Sequence, residues 1–409
     1  MKMLVVSRLF SAVRDAIEKD GNQSKGMPGF LKAMKYFFEN GVEIDYIFIT
    51  PVNRDVNILK KESKLSYIQR SQIKAVVINH ERLNRYSKNF FLHHSLLSEV
   101  DKLVQENRYD FIYLMTPEAT CVNTYANKKG IPCGARFFGT FLWSYIKKNG
   151  LNKAKFFMHE ELKAYNTRKK FLLTTNDGSN GDDSYNTYCR DKSLYDFYYW
   201  VNGLDRIHVN EERKAFIQNT ISENDILYVA TITSWKRHDR ALQLIKKLKD
   251  DGINSKLHLV GSLPPDNMSW KEHLDDMIKQ LGIEDNVEFR GSMAREDFLY
   301  LAMKSKICPL FQDTTNMGNV FHELFSIGAV IVSLNDGSLD GFVENRHNGF
   351  LVDSVDEAAE ICKKIIKDEI DITPIRENAI ATSRRLLASW DERFERELQL
   401  IKNSADFVS

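Results

Sequence analysis

Five cysteines in 409 residues (Cys121, Cys133, Cys189, Cys308, Cys362) are scattered without the paired spacing of a zinc site or a redox motif. Their odd number argues against a disulfide framework. No apolar run reaches the roughly 18 residues needed to cross a bilayer. Met1-Lys2 runs directly into a strand-like stretch at 3–7, so the expectation is a reduced, cytoplasmic chain. Charge of one sign is lacking too: 57 Lys and Arg stand against 56 Asp and Glu, a net +1. No chain-wide field favours nucleic acid, and no nucleic-acid module is visible. A Walker A sequence and a Gly-x-Ser-x-Gly elbow are missing. His322-Glu323 lacks the second histidine of a zinc-protease helix. The acidic run from Asp177 has Tyr188 where a calcium loop needs a glutamate.

What is present is alternation. Strand-like runs at 3–7, 44–50, 75–79, 111–116, 134–138 and 171–176 form a first series, with helices between them at 29–40 and 93–106. Their apolar content without clean alternation suits strands buried on both faces. A second series follows at 226–232, 256–260, 287–290, 307–311, 330–334 and 350–352, with helices such as 240–250 and 273–281. Alternating strand and helix implies parallel α/β sheets. The fold class expected is therefore α/β, two Rossmann-like doubly wound domains facing a central cleft. Residues 1–203 form the first, residues 204–377 the second, and a C-terminal helix from about 378 to 409 crosses back to the first.

The most informative stretch is Thr315-Asn316-Met317-Gly318-Asn319-Val320-Phe321-His322-Glu323, running on to Gly328 and a buried strand. It reads as a loop, then a helix opening at Gly318. A helix N-terminus offers unpaired N–H groups and about half a positive charge, which suits a phosphate. Glu323, one to two turns in, suits sugar hydroxyls. A ligand carrying both groups is a nucleotide-sugar.

This segment resembles the donor-site motif of the family 4 glycosyltransferases (retaining, GT-B fold, group 1). Gly318, Glu323 and Gly328 match, while Thr315 stands where the family has its first glutamate and Val330 where it has a proline. The resemblance implies further roles. Lys236, after the strand at 226–232, would grip the donor diphosphate, with Arg237 beside it; Thr231 occupies the place of a usual arginine. Glu323 would bind the ribose. Arg290-Gly291-Ser292 would meet the nucleobase through backbone groups, or the turn alone could require Gly291. The loss of the first glutamate leaves the hexose contact weakened, shifted to Asp313, or made to a different sugar. In the first domain, Gly26 resembles the glycine loop facing the donor phosphates. Arg136 is a catalytic candidate, as a donor-phosphate or acceptor ligand, or else an internal ion pair; Phe138 stands near a histidine of the relatives.

The activity implied is that of a hexosyltransferase-type enzyme (EC 2.4). It would move a sugar, with retention, from a nucleotide-sugar to a saccharide or lipid-linked acceptor in cell-surface polysaccharide synthesis, with no cofactor and no metal expected, because Lys236, Arg237 and a helix N-terminus would do the neutralising. An epimerase, a phosphorylase, or a degenerate fold that binds a nucleotide-sugar or a partner enzyme without turnover stay open. Between 143 and 171, eight Lys and Arg stand against two glutamates, interleaved with aromatics. That composition suits peripheral contact with the inner face of a membrane or a lipid-linked phosphate. A solvated face over a half-buried core would show it as well.

Overall fold

The computed structural model describes residues 1–20, 27–51, 56–58, 62–80 and 85–406. Two compact units divide the chain: 1–203 with 390–409, and 204–389.

The first unit is built on seven strands: β1 (Lys2–Arg8), β2 (Glu43–Thr50), β3 (Ile73–Ile78), β4 (Phe111–Leu114), β5 (Cys133–Phe137), β6 (Phe171–Asn176) and β7 (Asp196–Val201). They pair in the order β3-β2-β1-β4-β5-β6-β7, every pair parallel. Successive side chains of a strand point to opposite faces, so β1 feeds two cores. Met3 and Val5 join Phe30, Met34 and Phe37 of helix Pro28–Glu39 on one face. Leu4 and Val6 join Leu92, Leu96 and Val100 of helix Arg85–Glu106 on the other. A strand with both faces covered has no polar side to show, and that is why these runs lack alternation.

Strand β7 lay outside the expected series. Its sequence, Asp-Phe-Tyr-Tyr-Trp-Val, is rich in the aromatics that favour strands, but its side chains are half-buried along most of its length. An edge strand of this kind shows neither the period of an amphipathic strand nor the apolar run of a central one. Phe197 stacks on Tyr185 with ring centroids 4.0 Å apart.

The second unit holds β8 (Ile226–Val229), β9 (Leu257–Val260), β10 (Val287–Gly291), β11 (Cys308–Leu310), β12 (Ile331–Leu334) and β13 (Phe350–Val352). Two parallel triplets, β10-β9-β8 and β11-β12-β13, are joined by a bridge between Ile226 and Ile307. The continuous order is thus β10-β9-β8-β11-β12-β13, with the reversal of winding between β8 and β11. Helix His238–Asp250 buries Ala241, Leu242, Leu244, Ile245 and Leu248, the stripe of a helix laid on a sheet.

The C-terminal segment is two helices rather than one. Thr373–Leu386 belongs to the second unit, whereas Trp390–Asp406 belongs to the first. The passage falls at Ser389 and Trp390, within the C-terminal stretch expected to cross back. Gly203 sits against it: a Cβ there would lie 2.5 Å from the Trp390 Cα, closer than any side chain permits.

Candidate functional site

Open parallel sheets bind ligands beyond the carboxyl ends of their strands, at the point where the winding reverses. In the second unit that point lies between β8 and β11, so the loops following those strands, 230–238 and 311–318, border the candidate site.

The two loops are stitched together. The Asp313 N–H donates to the Trp235 carbonyl at 2.9 Å. Arg240 donates to the Phe311 carbonyl at 2.7 Å and lies 3.0 Å from the Asp313 carboxylate. Arg237 bonds Asp239 at 2.7 Å and Asp313 at 3.2 Å. Its guanidinium is held firmly protonated, chiefly by the hydrogen bond to Asp239. Arg237 also adopts a left-handed backbone, φ 50°. This is a conformation that L side chains rarely take and that clusters at functional sites.

Lys236 differs from Arg237 in kind. Its ammonium donates to the neutral amide oxygen of Gln312 and lies 3.7 Å from the centroid of the Trp235 ring. Burial pushes its pKa down to about 8, from 10.5. A lysine desolvated against an amide and an indole gains from a ligand anion what water no longer supplies.

Gln312 connects this cation to the motif loop. Its N–H donates to Asn316 Oδ1 at 2.9 Å. The Asn316 N–H donates to Ser338 Oγ at 2.9 Å, and its side-chain amide to Asp336 at 3.0 Å. Asn316 and Met317 are therefore buried scaffold. Thr315 Oγ1 accepts from the Met317 N–H at 3.0 Å, so its hydroxyl shapes the turn. After that turn the chain opens at Gly318, which is exposed and would have nothing within 4 Å of an added Cβ. Helix Asn319–Ser326 starts there with Gly318 as N-cap and no side chain capping it. Asn319 and Val320 form its first turn.

Glu323 lies one turn in, half-buried, and accepts from Arg295 Nε at 2.8 Å. Arg295 also donates to the Asp205 carbonyl at 2.5 Å, fixing the start of the unit to the motif helix. At the ends of β8 and β9 the backbones approach so closely that a Cβ on Gly261 would sit 1.9 Å from the Ala230 carbonyl oxygen. Only glycine fits there. Thr231, next in line, is exposed.

The structure thus gathers Lys236, Arg237, Thr315, Asn316, Met317, Gly318, Asn319, Val320 and Glu323 around one edge of one sheet. The side chains of Arg290 and Arg136 are engaged elsewhere. Arg290 turns back along the sheet, donating to His258 Nδ1 at 3.0 Å and to Thr220 Oγ1 at 3.0 Å. Its side chain is structural, while Gly291, at φ 68°, and Ser292 remain exposed. Arg136 is 0% exposed. Its Nη1 donates to Glu397 Oε1 at 3.1 Å and to the Gly29 carbonyl at 3.2 Å. Of the roles open to Arg136, the internal ion pair is the one found, and a guanidinium so enclosed does not reach a substrate. Gly26 lies outside the described residues. Sequence reasoning passed over Gln312, Arg240 and Arg295, whose side chains tie the site together. A polar residue closing an apolar strand, as Gln312 does after Phe311, was the available signal.

Residues 210–385 match the family described as glycosyl transferases group 1. A mannosyltransferase of Dictyostelium discoideum, described as GDP-Man:Man(3)GlcNAc(2)-PP-Dol alpha-1,2-mannosyltransferase, is 27% identical over 155 residues. The match covers 35% of this chain and 30% of that protein. Among solved structures, Anabaena HepE in complex with UDP superposes with a TM-score of 0.70 at 15% identity, covering 99% of this chain and all of the other. Sucrose-phosphate synthase from Thermosynechococcus elongatus gives 0.74 at 12% identity, covering 98% of each. The second unit thus carries a region of the group 1 glycosyl transferase family, and the chain as a whole shares the GT-B fold of these solved structures.

Proposed function

We propose that the enzyme transfers a sugar with retention, from a nucleoside-diphosphate sugar seated on the second unit to a saccharide or lipid-linked acceptor, in polysaccharide synthesis at the cytoplasmic face. The observation that carries this reading is the placement of Lys236 and the open N-terminus at Gly318 on loops bonded to each other. A diphosphate there would meet one desolvated cation and one fixed dipole. Negative charge develops on the leaving diphosphate during transfer, and groups already aimed at it stabilise the transition state. Glu323, one turn along, would accept the ribose hydroxyls. Neutralisation by Lys236 and the helix lets the reading do without a metal. The nucleotide named for HepE and the GDP-mannose and dolichol-linked acceptor named for the Dictyostelium enzyme support this class of donor and acceptor.

Assignment to family 4 belongs to the same proposal and draws on Gly318, Glu323 and Gly328. A second reading, binding of a nucleotide-sugar without turnover, draws on Thr315. Its hydroxyl serves the Met317 N–H, where the family carries a charged acceptor for the sugar.

A ligand that binds only the folded state raises the melting temperature. Screening UDP, GDP, CMP, ADP, dTDP and their sugars by thermal shift is expected to single out one nucleoside diphosphate. Glu323→Ala is expected to abolish that shift, and the absence of a shift with every nucleotide would overturn the donor site. Turnover of the selected donor separates the enzyme from the binding-only reading. Arg295→Ala is expected to weaken nucleotide affinity by about five- to twenty-fold, the scale of one charge-assisted hydrogen bond. Arg295→Lys would restore only part of it, because lysine cannot hold Glu323 and the Asp205 carbonyl together. Isothermal titration of both variants checks this; equal affinities would leave Arg295 a merely structural tie.

A further inference from the structure

The basic, aromatic segment after β5 folds into three short helices, Leu142–Asn149, Leu151–Phe157 and His159–Ala164. Part of its composition is internal. Tyr165 is fully buried, and Glu161 is buried against Thr140. Lys169 is buried with its ammonium on the Ala164 carbonyl at 2.7 Å, and burial lowers its pKa to about 7. The remainder faces outward to an unusual degree. Each of the first two helices buries one residue, Leu142 and Ala154 respectively. Phe141 and Phe157 are 68% and 65% exposed, and Leu151 and Phe156 are exposed as well.

A neighbouring helix extends this surface. In Arg85–Glu106, Asn89 and His93 lie one turn apart and meet the two carboxylate oxygens of Glu160 at 3.3 and 3.4 Å. Glu160 comes three residues after Phe157. Beside that contact, Phe90 and Phe91 are exposed, Phe90 at 67%. Six of the eleven large apolar side chains exposed among the described residues therefore belong to these helices and the residue that precedes them. Apolar patches of this kind mark interaction surfaces.

The charge around the patch selects the partner. Residues 141–159 contain Lys147, Lys148, Lys153 and Lys155, all exposed, and no acidic residue. Residues 87–98 contain Lys88 and again no acid. Glu160 is engaged by His93 and His159. We propose that this face of the first unit, carried by Phe90, Phe91, Phe141, Phe156 and Phe157 within a ring of lysines, docks on an anionic membrane surface. Exposed rings enter the headgroup boundary while the lysines stay at the phosphate level, their stems along the apolar layer. The acceptor side of the proposed function gains from this a surface on which a lipid-linked acceptor would be presented, whichever nucleotide the second unit takes.

Flotation of the full chain with vesicles tests it. Binding is expected to phosphatidylcholine vesicles containing about one-third phosphatidylglycerol and not to phosphatidylcholine alone, and to weaken in 0.5 M salt as the lysine term is screened. Each lysine near such a surface contributes about five-fold, so Lys147→Glu with Lys148→Glu, Lys153→Glu and Lys155→Glu is expected to lower partitioning at least a hundred-fold. Phe90→Ser with Phe157→Ser is expected to remove the binding that survives salt. Both variants change exposed residues of the first unit, so melting and nucleotide-induced shifts are expected to match the wild type, keeping this test separate from that of the donor site. Equal binding to both vesicle types, or to neither, would overturn the proposal. So would phenylalanine-dependent self-association of the chain in place of vesicle binding.

Discussion

Replacing Lys236 with alanine is expected to lower the turnover number about 10²–10³-fold while changing nucleotide affinity only a few-fold. That is the usual effect of removing one preorganised group aimed at charge that develops in the transition state. The asymmetry follows from what the lysine touches: its partners are a neutral amide and an indole face, so removing it strands no carboxylate. Arg237, by contrast, is bonded to Asp239 and Asp313, and its loss would deprive Asp239 of its guanidinium partner, leave Asp313 to Arg240 alone and loosen the loops.

The pH profile makes the claim specific. With a pKa near 8, Lys236 is charged at neutral pH and loses its proton as pH rises through that value. The rate constant kcat/KM, which reports the free enzyme, is expected to fall on the alkaline side with a break near 8. Bound diphosphate favours the charged form, so the corresponding break in kcat should move upward. Lys236→Arg, charged at every accessible pH, is expected to lose the break whatever its residual activity. An alkaline limb unchanged in Lys236→Arg would assign that limb to another group.

How far such residues could be read from the sequence depended on whether their signal was local. The central strands announced themselves because a strand buried on both faces is apolar at every position, as in the stretch from Met3 to Val6. The donor loop was legible for a different reason: Gly318 and Glu323 sit on one short helix, so their spacing alone puts a backbone N-terminus and a carboxylate near each other. Arg240 and Arg295 were not legible, and Gln312 only as a polar residue closing an apolar strand. Each acts on a residue 28 to 76 positions away or through a backbone carbonyl, and neither relation leaves a pattern in the chain. Arg136 shows the same limit from the other side. An arginine at the carboxyl end of a sheet strand reads as a ligand-binding group, and what decides otherwise is Glu397, 261 residues later.

That pairing yields the largest stability effect expected of any substitution in the first unit. Helix Trp390–Asp406 buries Phe394, Leu398 and Ile401, with Arg393 and Glu397 on the same stripe. The Glu397 carboxylate is fully buried and accepts from Tyr113 at 2.7 Å, from Arg393 at 2.8 Å and from Arg136 at 3.1 Å. Burial alone would raise its pKa; the two guanidiniums outweigh that and hold it below the ordinary 4.5. Glu397→Ala leaves two buried guanidiniums without their shared anion. It is expected to cost about 3–5 kcal/mol, the range for breaking a buried pair. Removing Arg136, Arg393 and Glu397 together in favour of apolar residues is expected to cost less than Glu397→Ala alone, because no charge is then stranded. The sign of the pH dependence follows from the lowered pKa. Glu397 contributes its full stabilisation above about pH 4.5, and that contribution is lost as pH falls through its folded value. Thermal or urea unfolding, followed by the fluorescence of Trp200 and Trp390 in the first unit, measures both effects. A Glu397→Gln protein as stable as the wild type, with the same acid limb, would show that hydrogen bonding rather than charge seats the C-terminal helix.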